Sequence, residues 1–159
     1  MLQHTLHPRS IRCVLLDNDC IREMKRFTFH EEKFNFVSSK VSPLTTSWLQ
    51  STHYTNAFSD RHHGALVAFP SSRSVVILDG HYNGPLLWED WVIMFVWKLT
   101  GKRVKIVYHN ESRTYAWVAA LRGEDAGDST SWNCYIASDA IDQGRNGTEC
   151  GFLACMNVM

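Results

Sequence analysis

The chain lacks a long apolar run, an excess of either charge and any CxxC pair, and each absence closes off a class of protein. Its longest uninterrupted apolar stretch, Trp91 to Trp97, falls well short of the roughly 20 apolar residues that a bilayer-spanning helix needs, and Glu89, Asp90 and Lys98 sit beside it. The expectation is a core helix within residues 85 to 101, with membrane-surface contact as the alternative. Sixteen Lys and Arg balance sixteen Asp and Glu, so attraction to nucleic acid must come from a local patch. Cysteines 13, 20, 134, 150 and 155 are odd in number, which argues against a disulfide framework and a zinc site. A reducing compartment fits, and no metal or cofactor is expected. His4, His7, Pro8, Arg9 and Arg12 break up the first residues, so a secretory signal is not expected. The glycosylation patterns at Asn110 and Asn146 are then read as chance.

At 159 residues and 45% hydrophobic content the chain suits one domain with a real core. No internal repeat or low-complexity segment is present. "RCVLL" is a candidate strand, followed by a helix over "DNDCIREMKRFTF" capped by Asp17 or Asn18, while "SSKVSPLTTSW" reads as a loop. "GALVAF" and "SVVILDG" form a hairpin by length and composition. After the tryptophan-rich helix, "RVKIVY" and "TYAWVAAL" read as two more strands, and Asn133 to Ile141 as a helix capped by Ser131 or Asn133 and stopped at Gly144. The class expected is α+β, a small antiparallel sheet with helices packed on it.

Chemistry points first to Cys134. At the first turn of a helix, a thiol feels the positive end of the helix dipole, which favours the reactive thiolate. Such a nucleophile needs a base, and the available imidazoles are His62, His63 and His81. A small, inert, buried cysteine is the competing reading.

Two stretches taken together carry a resemblance. "RHHGALVAF", residues 61 to 69, resembles the H-box of the lecithin:retinol acyltransferase family and its phospholipase/acyltransferase relatives, and "TSWNCYIASDAIDQG", residues 130 to 144, resembles their NC box. The His precedes the Cys by about seventy residues, as in that family. The resemblance implies a permuted papain-like (NlpC-type) core, with His62 as base and Cys134 as thioester-forming nucleophile. Ile77 stands where the family carries an orienting His, which leaves His81 or Asp79 as the third residue. The chain also resembles the H-box/NC type of picornavirus 2A protein, found in parechoviruses and kobuviruses. That resemblance implies a non-proteolytic viral nonstructural protein of the host cytoplasm, near replication membranes, supporting genome replication through viral RNA or host and viral proteins.

The motif-bearing core spans residues 61 to 144, and residues 1 to 60 form an extension that adds to the sheet or swaps onto a neighbour. Three functional expectations follow. One is a binding protein with a degenerate active site, and the second is an active thiol acyltransferase or phospholipase that docks on lipid through "WVIMFVW". The third is RNA binding by Lys98, Lys102, Arg103, Lys105 and Arg113 on a hairpin that also presents the Tyr108 ring. Trp88 and Trp91, three residues apart on one helix face, are a candidate homodimer surface.

Overall fold

The computed structural model describes residues 11–44, 51–59, 62–79, 88–123 and 130–137. In chain order its elements are β1 (Ile11–Cys13), α1 (Asn18–Met24), α2 (His30–Lys40), β2 (Thr52–Ser59), β3 (His62–Phe69), β4 (Ser74–Leu78), α3 (Glu89–Thr100), β5 (Lys105–Glu111), α4 (Arg113–Arg122) and β6 (Ser131–Ala137). A short 3-10 turn, Pro70–Ser72, joins β3 to β4. The class is α+β, built on a six-stranded sheet of order β1-β2-β3-β4-β6-β5.

The sheet is mixed rather than antiparallel. β2, β3 and β4 alternate in direction, whereas β1 runs parallel to β2, and β6 runs parallel to both β4 and β5. Two parallel neighbours need a crossover, and that requirement corrects the reading of "TYAWVAAL" as a strand paired with "RVKIVY". The segment is α4, lying between parallel β5 and β6. Its signals are local: the Ser112 side chain accepts the Tyr115 N–H at 3.2 Å, Ala116, Ala119 and Ala120 repeat at helical spacing, and Gly123 ends the helix at φ 66°.

Strand alternation sorts the core into two layers. Leu66, Ala68, Val75, Ile77, Trp132, Cys134 and Ile136 face α1, α2 and α3, while Ala65, Val67, Val76, Leu78, Tyr135 and Ala137 face α4. β6, covered on both faces, is buried from Trp132 to Ala137, the pattern expected of an interior parallel strand. That environment overrides the helix expected from Asn133, whose remaining residues 138 to 141 lie outside the described residues.

The tryptophan-rich helix is present as α3. Every residue from Trp91 to Val96 is buried, and Gly101 closes the helix at φ 65°. The same burial removes the lipid-docking face read into "WVIMFVW". Among the described residues, no helix is long and apolar enough to cross a membrane. The hairpin of β3 and β4 and the Asp17 cap of α1 match expectation; Asp17 accepts from the Asp19 and Cys20 N–H groups at 2.9 and 3.3 Å. Residues 11 to 59 supply β1, β2, α1 and α2, so the N-terminal extension adds to the sheet. Neither α2 nor β2 is expected from the sequence: α2 carries Ser38 to Lys40, the start of the expected loop, and the helix expected over residues 17 to 29 ends at Met24.

Candidate functional site

Register fixes where the H-box and NC residues stand. Cys134 pairs with Val75, and Val75 pairs with Ala68, so Cys134 is level with Ala68 on β3. His62 opens the same strand, six residues away. At about 3.3 Å per residue, the two backbone positions are separated by roughly 20 Å along the sheet, in addition to two strand spacings across it. The fold therefore does not bring His62 and Cys134 together. Asp79 lies four residues beyond Val75, about 13 Å along β4 from the level of Cys134. His81 lies outside the described residues.

The helix-dipole argument for Cys134 also falls, because the residue sits in the middle of β6. Its side chain is fully buried in the apolar layer beneath α3, and burial pushes the thiol well above its ordinary value. A thiol held protonated in an apolar setting is a poor nucleophile. Its register partner on β5 is Tyr108, whose buried hydroxyl has no hydrogen-bond partner among the described residues. Desolvation raises the Tyr108 phenol strongly, and the thiol of Cys134 and the carboxylates Glu89 and Asp90 add to the shift. Native-state alkylation with iodoacetamide should therefore modify exposed Cys13 and leave Cys134 and Cys20 unmodified until the chain unfolds, as read by peptide mass spectrometry. Labelling of Cys134 at the rate of Cys13 would contradict its inert role.

Asp79 has a structural task. It is buried, and Trp88 Nε1 donates to its Oδ2 at 2.8 Å. Gly64 makes room for this contact: a Cβ there would come within 3.0 Å of the Trp88 ring. The small residue two places after His62 thus seats a tryptophan. With Trp88 and Trp91 only 1% and 2% exposed, the homodimer surface expected from that pair is corrected as well; both rings fill the core.

Between β5 and β6, His109 Nε2 meets Asn133 Oδ1 at 2.9 Å and its ring stacks on Tyr135; a second set of polar groups converges between α2, α3 and β5. Lys33 Nζ meets Asp90 Oδ1 at 2.6 Å, with both side chains about nine-tenths buried. His30 Nδ1 meets Glu89 Oε1 at 2.8 Å, and the imidazole packs against Phe34 at 6.3 Å between ring centroids. Beside them opens a cleft of about 450 Å³, lined by His30, Glu31, Phe34, Arg103, Val104, Lys105 and Ile106. This region escaped the sequence reading because α2 did not stand out. The signal was Phe34 and Val37 at helical spacing, with Glu31 and Glu32 in the first turn.

The basic residues divide between the two ends of β5. Lys102, Arg103 and Lys105 are exposed at its start, close to Lys98, whose Nζ donates to the Ser42 carbonyl at 3.2 Å. Arg113 opens α4 beyond the opposite end. Tyr108 faces inward, so the expected hairpin presenting cations with an exposed ring is replaced by one edge strand with cations at its start. No group of three or more metal-ligating side chains occurs among the described residues. No protein-family model and no curated protein matches the chain.

Proposed function

We propose that this chain is a non-catalytic binding protein, comparable in role to the non-proteolytic 2A proteins it resembles, acting in the host cytoplasm to support viral genome replication. The observation that carries the non-catalytic part is the burial of Cys134 on an interior strand, about 20 Å along the sheet from His62. Only the two motifs support the alternative, an active thiol acyltransferase or phospholipase. The same holds for the permuted papain-like core, which requires Cys134 to open a helix. RNA is the partner that the exposed charge favours, because Arg103 and Lys105 make no ion pair among the described residues; host or viral proteins are the second class.

Fluorescence anisotropy with a labelled single-stranded RNA tests this reading. Affinity should fall steeply with salt, and the double variant Arg103→Ala with Lys105→Ala should lower the slope of log K against log salt by about 1.4, since each lost phosphate contact on a single strand removes about 0.7. Arg113→Ala should leave the slope closer to wild type. Undetectable or salt-independent affinity would reject the RNA reading, and phospholipid hydrolysis dependent on Cys134 would reject the non-catalytic one.

A further inference from the structure

We infer that the outer edge of β5 is a self-association surface: it pairs antiparallel with β5 of a second copy of this chain, about a twofold axis at Tyr108, and joins the two sheets into one. The inference goes beyond the RNA reading and does not depend on it. It rests on the length of the strand, the phase of its backbone groups and its charge. β5 ends the sheet, and β6 is its strand partner among the described residues. The opposite edge, β1, has three residues, whereas β5 has seven and contains no proline. Short edge strands and prolines are among the devices that keep sheets from pairing edge to edge, and β5 has neither.

One hydrogen bond sets the phase. Lys105 N–H donates to the Thr130 carbonyl, on the β6 side, at 2.8 Å. Alternation then turns the N–H and C=O groups of Lys105, Val107, His109 and Glu111 toward β6, and those of Ile106, Tyr108 and Asn110 outward. No described residue bonds to the outward set. In an antiparallel pair, facing residues that exchange both bonds must all come from such outward sets. An axis at Tyr108 meets that condition: Tyr108 faces Tyr108 of the second copy, Ile106 faces Asn110 at either side, and all seven residues of the strand are used.

The same axis sets Lys105 of each copy opposite Glu111 of the other. Both side chains lie on the sheet face opposite Ile106 and Tyr108, where His109 reaches Asn133 and Tyr135. They form a non-hydrogen-bonded pair, in which Cα atoms stand about 4.5 Å apart and side chains are closest, and opposite charges directly across a ladder stabilise it. A shift of two residues keeps the bonding phase but shortens the paired segment and separates lysine from glutamate. An edge lysine ordinarily deters pairing; here an acid answers it. Pairing stops at Glu111, because the Ser112 cap turns the chain into α4.

Sedimentation velocity of the full chain, from micromolar to submillimolar concentration, tests the inference. A species of twice the 18.3 kDa chain mass is expected to grow with concentration. Asn110→Pro removes an outward N–H while sparing the bonds to β6, so this variant should stay monomeric. Lys105→Glu should weaken dimerisation by about tenfold, since like charges then meet at both ends of the pairing, and adding Glu111→Lys should restore it. Should the variants misfold, amide exchange of wild type decides: the Ile106, Tyr108 and Asn110 amides should gain protection as the dimer forms. A monomer at every concentration would overturn the inference, as would a dimer unchanged in both Asn110→Pro and Lys105→Glu, which must use another face. Dimer formation without added protection of those three amides would overturn it too.

Discussion

Lys33→Met is expected to destabilise the fold by about 3–5 kcal/mol, the cost typical of removing one partner from a buried ion pair. The ammonium of Lys33 lies 2.6 Å from Asp90, with side chains 10% and 9% exposed, and it ties α2 to the first turn of α3. Without it the Asp90 carboxylate stays desolvated with only the amino end of α3 as partial compensation, a smaller effect of about 1 kcal/mol. Combining Lys33→Met with Asp90→Leu should recover most of the loss, because buried ion pairs replaced by apolar groups often cost nothing. By contrast, Arg22→Gln breaks a pair whose members are 68% and 84% exposed, and should shift stability by no more than about 0.5 kcal/mol. Urea unfolding of the four proteins measures these differences. A Lys33→Met midpoint equal to wild type would mean that the pair is not buried in solution.

The second large effect is alkaline. Three acidic groups bind their protons more tightly in the fold than in the unfolded chain. Cys20 is raised from 9.0 to about 11, mainly by desolvation with help from Asp17 and Glu23. Cys134 and Tyr108 are raised further, again chiefly by desolvation. A raised folded value means that the stabilisation is complete below the unfolded value and is lost as pH climbs toward the folded one. Unfolding free energy should therefore be flat near pH 7–8 and fall above pH 9. Each group in which the folded state alone keeps its proton contributes a slope of about 1.36 kcal/mol per pH unit. From pH 9 to 11, Cys134 alone accounts for roughly 2–3 kcal/mol, and Tyr108 adds about 1 kcal/mol once its unfolded phenol ionises near pH 10. The loss approaches the whole stability of a marginal domain. Urea midpoints under reducing conditions across pH 7.5–11 check this, and Cys134→Ala should flatten the alkaline slope by one proton while exposed Cys13→Ala leaves it unchanged. A stability that is level to pH 10.5 would show that the thiol and phenol are not desolvated.

Several parts of this fold were readable from residues alone because their information is local. Asp17 caps α1 through its own side chain, Gly101 ends α3 in a left-handed conformation, and the short turn after Phe69 pairs β3 with β4. In the candidate site, Arg103 and Lys105 were legible as exposed cations for the same reason. Their cleft was not, since its other wall comes from His30 and Phe34 on α2, about seventy residues earlier in the chain.

By itself, then, the sequence determined the α+β class, a core helix within residues 85 to 101, the hairpin, and a basic stretch at residues 98 to 105. Tertiary structure decided the rest, because pairing partners distant in sequence set it. β6 became a strand once parallel β4 and β5 enclosed it, and that enclosure turned Cys134 from a helix-capped nucleophile into a buried core thiol. The crossover between parallel neighbours made "TYAWVAAL" a helix, and strand register placed His62 six residues along the sheet from the level of Cys134. Spacing in a motif measures distance along the chain, while chemistry needs distance in space, and only the sheet converts one into the other.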